Sequence, residues 1–264
     1  MPAITFPLEI KETILELLVE DDKGHLALKT CSLVCQAFLP ICRKHIFGSI
    51  VLNEPNTIPR PIIRTTQAFE RLLRETPEIA NYIRKLDYNI SATDSTSSSI
   101  QESLKRISRL EFLSVQHHYR PGLNWSNNPI RPTLLHLLHL PTLTHFKMTG
   151  ANDFVVSDLI PCVNLEFLDI GVTGHTSVAT EFTFHAALPE HSIRLREFVA
   201  RTRTRTPTLI MKLCSARRLD GKPIIDFGFL SKITVILDGL NECEALLELF
   251  RRCHSLTNAH ISCR

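Results

Sequence analysis

The stretch LPTLTHFKMTGANDFVVSDLIPCVNLEFLDI, Leu140 to Ile170, carries the reading of the fold. It holds two copies of one unit, Leu-x-x-Leu-x-Leu in outline: Leu143/Phe146/Met148 and Leu165/Leu168/Ile170. In each copy the last two apolar residues lie two apart, the spacing that puts side chains on one face of a short strand. Between the copies, Phe154 to Pro161 reads as a helical stretch.

The same unit recurs outward from there. Before it stand Ile83/Leu86/Tyr88 and Leu110/Leu113/Val115; after it, Leu195/Phe198/Ala200, Leu230/Ile233/Val235 and Leu256/Ala259/Ile261. The steps between first positions are 27, 33, 22, 30, 35 and 26 residues, a loose period with a constant unit. Helical stretches separate the strands at 100–107, 133–140, 209–219 and 243–253, whereas Gly174 to Pro189 reads mostly as loop. Strand and helix alternating at this spacing resemble leucine-rich repeats, which implies an α/β chain whose strands stack into a parallel sheet with helices on the outer side. The competing reading is a doubly wound α/β sheet. Such folds favour longer buried strands and glycine turns, and only nine glycines occur here. The chain ends on a strand, SLTNAHISCR, without a polar capping repeat. The expectation is a truncated chain or an edge covered by a partner.

The first fifty residues read as helices. Thr5 can cap, Pro7 suits a first helical turn, and Ile10, Ile14, Leu17 and Leu18 form one apolar stripe. Leu28, Cys31, Cys35 and Phe38 share a face of a second helix, and Pro40 opens a third that ends near Phe47 and Gly48. Three prolines between Asn53 and Pro61 mark a boundary. The expected organisation is a helical unit over 1–52, a linker and connecting helix over 53–80, and the repeat region over 81–264. SATDSTSSS, Ser91 to Ser99, is an exposed loop or the start of a helix.

Phe6-Pro7-Leu8-Glu9-Ile10 resembles the opening Leu-Pro-x-Glu-Ile/Leu of an F-box. Ser32-Leu33-Val34-Cys35-Gln36-Ala37-Phe38 is similar to that family's Ser-Leu-Val-Cys-x-x-Trp/Phe, and His45-Ile46-Phe47 to its closing aromatic element. Phe6, Gln36 and Phe38 depart from the commoner leucine, basic residue and tryptophan. The repeat region resembles the one that follows many fungal F-boxes. The resemblance implies a substrate receptor of a Skp–cullin–F-box ubiquitin ligase. The Skp adaptor, and through it the cullin, would meet Phe6, Pro7, Leu8, Ile10, Ile14, Val34, Cys35 and Phe38. A protein substrate would sit on the repeats, and no catalytic residue or cofactor is implied. So many large apolar side chains exceed what a three-helix unit of this size usually buries, and an exposed remainder marks a partner site.

Composition narrows the classes. Hydrophobic residues are 44% and charged residues 22%, which excludes a disordered chain. A net charge of +3 is too balanced to imply nucleic acid. The first dozen residues reach Glu9, Lys11 and Glu12 before an apolar core forms. The longest stretch free of Lys, Arg, Asp and Glu, Pro132 to Phe146, is shorter than the ~18 residues of a membrane span. The expected location is therefore the cytosol or nucleus, with eight free thiols. No glycine-rich nucleotide loop, His-Glu-x-x-His, Gly-x-Ser-x-Gly or Cys-x-x-Cys occurs, so no enzyme is expected. Cys31, Cys35, Cys42 and His45 could in principle hold zinc, but they follow the apolar stripe, and His136, His139 and His145 lack a completing ligand; no metal is expected.

Between Arg194 and Arg218 stand eight basic residues and one acid, Glu197. This run supports a second reading: a ligase-independent repeat scaffold that binds an acidic protein or RNA. The only tryptophan, Trp125, lies in a turn-rich loop, as a binding anchor or as a cover over the stack.

Residues flanking the buried strand positions point the other way. Those rows run Lys85/Asp87/Asn89, Phe112/Ser114/Gln116, His145/Lys147/Thr149, Phe167/Asp169/Gly171, Glu197/Val199/Arg201, Lys232/Thr234/Ile236 and Asn258/His260/Ser262. Aromatic rings beside charges have hot-spot composition. The expected substrate site is Phe112, His145, Lys147, Phe167, Asp169 and Arg201.

Overall fold

The structure, a computed structural model, describes residues 7–19, 24–34, 36–53, 65–91, 93–117, 123–172, 189–201, 208–237 and 242–263. It is an α/β protein built on a parallel sheet. The strands are β1 (Ser49–Leu52), β2 (Lys85–Asn89), β3 (Phe112–Gln116), β4 (Leu123–Asn124), β5 (His145–Asn152) and β6 (Phe167–Val172). They continue with β7 (Ile193–Arg194), β8 (Glu197–Arg201), β9 (Ile225–Asp226), β10 (Lys232–Leu237) and β11 (Asn258–Cys263). Across the sheet the order is β1-β2-β3-β5-β6-β8-β10-β11, with β4 beside the end of β5; β7 and β9 form a separate parallel pair. The seven strands expected from the apolar units are all present. The sheet also begins one strand earlier, at β1, which follows a helix directly and has no Leu-x-x-Leu lead to announce it.

One register runs through the sheet. Lys85, Phe112, His145, Phe167, Glu197, Lys232 and Asn258 stand opposite one another on successive strands. A repeated backbone rung fixes it. The Gly48 carbonyl accepts from the Arg84 and Lys85 amides at 2.9 and 2.8 Å. The carbonyls of Arg84, Glu111, Thr144, Glu166, Arg196 and Ser231 each accept the corresponding two amides of the next strand. Each of these oxygens accepts from two amides, so the same bonded turn leads into seven strands of the sheet.

The helices are α1 (Leu8–Val19), α2 (Gly24–Val34), α3 (Leu39–Phe47), α4 (Thr66–Glu75), α5 (Ser98–Lys105), α6 (Arg131–Leu138), α7 (Thr208–Ser215) and α8 (Glu242–Arg252). The Thr65 and Ser97 hydroxyls cap α4 and α5. Consecutive parallel strands joined by crossovers of one hand place their connections on one side of the sheet. The strand positions facing that side, Leu86, Tyr88, Leu113, Val115, Phe146, Met148, Leu168, Ile170, Phe198, Ala200, Ile233 and Val235, are fully buried in one core with Leu73, Leu104, Leu137 and Leu249 of the helices. On β11 the same positions, Ala259 and Ile261, are exposed.

Three connections differ from the sequence reading. The stretch 154–161 is a single 3-10 turn, Val156–Leu159, not an α-helix. It spans the shortest step of the pattern and is buried on every side, so the connection has no room for a solvated helix face. The helix expected over 209–219 stops at Ser215, and an antiparallel bridge between Arg217 and Pro223 takes over. The polar patch at 91–99 leads into α5 with Ser97 as its cap, the helix entry of the two readings, but it is not wholly solvated. Asp94 is buried, accepting from Asn53 Nδ2 at 2.7 Å, Thr66 Oγ1 at 3.0 Å and the Ser91 amide at 3.0 Å. Of the expected loop over 174–189, residues 174–188 lie outside the described residues.

α1, α2 and α3 pack around Leu15, Leu28, Ile41, Cys42 and Ile46, with Leu18, Cys31 and Phe38 partly buried against them. Phe47 packs against both this cluster and the main core, and Arg43 pairs with Glu78 at 3.2 Å. The stripe Ile10, Ile14, Leu17 and Leu18 does not face inward as a unit: Leu15 and Leu18 do, and Ile10, Ile14 and Leu17 are exposed.

Gly150, inside β5, is a strand position that demands glycine. Its φ is +80°, and a Cβ there would lie 1.9 Å from the His117 carbonyl oxygen. The register shifts at this point between β5 and β6, and β5 runs on to pair with β4.

Candidate functional site

The face of the sheet away from the helices carries the expected rows. Along the first row Lys85 Nζ lies 4.7 Å from the Phe112 ring centroid. The Phe112 and His145 rings are 6.2 Å apart and tilted, and His145 stacks on Phe167 at 5.5 Å with 25° between planes. Glu197 and Lys232 close the row with an ion pair at 2.8 Å. The parallel register makes this ladder, because one side chain per strand lands at the same height. Its rings support each other in fixed positions, so a partner would meet them without ordering them first.

Phe112, His145, Lys147 and Phe167 share this face. His145 is exposed, and the other three are half-buried. Asp169 stands in the second row beside Lys147 but is only 1% exposed, so its carboxylate does not reach the surface as expected of a contact residue. Ser114 and Val199 in the same row are buried too; the expectation of a uniformly solvated polar face fails in its middle. Arg201 ends β8 on the third row, and its side chain lies outside the described residues, as do Arg203 and Arg205.

Of the adaptor set, Pro7, Ile10, Ile14 and Val34 are exposed, Ile14 by 46% and Val34 by 69%. Phe38 is half-buried against the three-helix cluster and contributes to folding there. Phe6 and Cys35, and the side chain of Leu8, lie outside the described residues. Sequence reasoning missed Leu17, Val19, Leu26 and Leu33 as members of the exposed apolar surface; Leu33 is 87% exposed. The signal was available, since α1, LEIKETILELLV, is apolar beyond a single stripe.

The remaining features are structural. Trp125 is not an anchor and does not cover the ring ladder. It is buried on the helix side against Phe154, and its indole N–H donates to Asp158 at 2.7 Å. Arg131 grips the same buried carboxylate at 2.8 and 3.0 Å, and His139 Nε2–H donates to the Asp158 carbonyl at 2.8 Å. His136 meets the Lys105 carbonyl and His145 sits on the open face, so the three histidines do not converge. Burial pushes the thiol of Cys162 up and that of Cys214 up to about 11, which leaves both protonated at neutral pH. Among the described residues of the basic run, two arginines are already engaged. Arg218 is buried on Asp220 and the His191 carbonyl, and Arg196 faces Glu166 at 3.7 Å. Among the described residues no helix is long and apolar enough to cross a membrane.

The sequence matches no family model and no curated protein.

Proposed function

We propose that this chain is a substrate receptor of a Skp–cullin–F-box type ubiquitin ligase. Its N-terminal helices dock the Skp adaptor, and the open sheet face holds a protein substrate. The observation that carries the reading is the surface of α1 and α2. Ile10, Ile14, Leu17, Val19, Leu26, Leu33 and Val34 are all exposed on a unit whose own core holds five buried residues among the described ones. Covering a large aliphatic side chain is worth about 1.5–3 kcal/mol when complete, so even partial cover of this set amounts to several kcal/mol. The F-box resemblance of residues 6–10 and 32–38 overlaps the start of α1 (Leu8–Ile10) and the end of α2 (Ser32–Val34). On this reading residues 81–264 form a leucine-rich-repeat-like solenoid, in the cytosol or nucleus, and the ligase chemistry belongs to other subunits.

The substrate side rests on Phe112, His145 and Phe167, a preorganised aromatic row flanked by Lys85 and the Glu197–Lys232 pair. Affinity-tagged chain expressed in cells tests the whole reading. Skp and cullin subunits co-purify with the wild type and with the Phe112→Ala/Phe167→Ala variant, and are lost from Ile14→Asp/Val34→Asp. Retention by the latter would contradict the adaptor assignment. If the double alanine variant keeps every protein that the wild type captures, the substrate assignment is wrong.

A further inference from the structure

Among the described residues β11 pairs with β10 alone, in an unbroken register from Lys232↔Asn258 to Leu237↔Cys263. The Asn258 amide donates to the Ser231 carbonyl at 3.0 Å. Alternate residues of a strand turn their backbone groups to opposite sides. Asn258, His260 and Ser262 therefore face β10, and Ala259 and Ile261 turn their N–H and C=O outward. The side chains of 258–261 are exposed, Ile261 by 43%, whereas the matching apolar residues of β2, β3, β5, β6, β8 and β10 are buried. Proteins usually blunt an edge strand by shortness, a lysine, a proline or a bulge. β1, at the opposite edge, has only four residues. β11 has six, with no Lys, Arg, Asp, Glu or Pro among them and no register shift.

We propose that β11 pairs with β11 of a second copy of this chain, antiparallel about a two-fold axis at His260, so that two sheets join into one. The strand's own sequence selects this occupant. Reversed about His260, Ala259 meets the partner's Ile261 on the helix side, and Asn258 meets the partner's Ser262 on the open side. The outward backbone groups of Ala259 and Ile261 face those of the same two residues, so each exchanges both its bonds with the other copy. Two-fold symmetry sets like beside like, and a strand without acid, lysine or arginine accepts that without repulsion between such side chains. The contact is isologous, uses both edges and stops at the dimer. β8 and β10 stand between this edge and the rings on β3, β5 and β6, and β1 lies at the far edge of the sheet. The dimer therefore stands whether or not the ladder and the N-terminal helices bind as proposed.

Sedimentation velocity on the purified 264-residue chain, from about 1 to about 200 µM, tests this. The expected result is a monomer–dimer equilibrium. Ile261→Pro removes an outward N–H without touching a bond to β10, and Ile261→Lys puts a charge on the edge. Each weakens the dimer at least tenfold, with the circular dichroism melt of the monomer little changed. The register has its own readout. Facing residues of a non-bonded antiparallel pair have Cα atoms about 4.5 Å apart, within disulfide range. Mild oxidation of His260→Cys therefore links two chains, and peptide mass spectrometry places the bridge at position 260 of both. A monomer at every concentration, assembly growing past the dimer, or a dimer untouched by both Ile261 variants overturns the proposal. So does a dimer lost on Ile14→Asp/Val34→Asp but kept by the Ile261 variants, or a dimer of His260→Cys with no bridge at that position.

Discussion

Gly150 and His139 each make a specific demand on their surroundings. At Gly150 a side chain would be both in a left-handed conformation and inside the His117 carbonyl. Gly150→Ala should therefore cost about 2 kcal/mol or more, read as a lowered urea midpoint with unchanged slope; a midpoint within error of wild type would contradict this. At His139, burial holds the imidazole below its ordinary pKa. As pH falls below about 6.5, the unfolded chain takes a proton that the folded chain resists. Stability from this group is complete above that pH and declines below it, by at most ~1.4 kcal/mol per pH unit. His139→Gln keeps an N–H for the Asp158 carbonyl but does not titrate. Its denaturation midpoint should fall less steeply on acidification than the wild type's, and equal slopes would remove His139 from the explanation. Neither residue was legible in the sequence. Gly150 is one of nine glycines, and the His139 and Trp125 partners converge on Asp158 from 19 and 33 residues away. Local patterns carry no information about such pairings.

At the scale of elements, seven strands and their register were legible because a sheet with one buried face favours alternation, whereas β1, β4, β7 and β9 carry no such unit. Lys85, Phe112, His145, Phe167, Glu197, Lys232 and Asn258 were aligned by their position in the apolar unit, and the backbone rungs put them in that register. The connections were less legible. Their length varies, and periodicity cannot separate an α-helix from a short 3-10 turn that is buried all round, as at Val156–Leu159. The register has a direct energetic consequence at β5 and β3. Phe146 lies in the core and Phe112 on the open face. Phe146→Ala should destabilise by about 3–5 kcal/mol. Phe112→Ala, which loses one cation contact and one ring neighbour, should cost about 1 kcal/mol. Comparable losses in the two variants would mean that the faces are assigned the wrong way round.

For the whole molecule, the candidate sites were partly legible. Composition and the F-box resemblance pointed to the N-terminal helices, and their exposed face is larger than the motif alone suggested. The ladder was found because its aromatic residues stand where solvent favours polar ones. Asp169 was misread because position on a strand says which face a side chain takes, not how deeply its neighbours bury it. The proposed docking of a Skp adaptor on the surface of α1 and α2 is tested by direct titration of purified chain with purified adaptor. A one-to-one complex should form with the wild type. Ile14→Asp/Val34→Asp should weaken it at least a hundredfold while the thermal unfolding of the sheet region stays unchanged. No complex with the wild type, or the same affinity in the variant, would contradict the assignment.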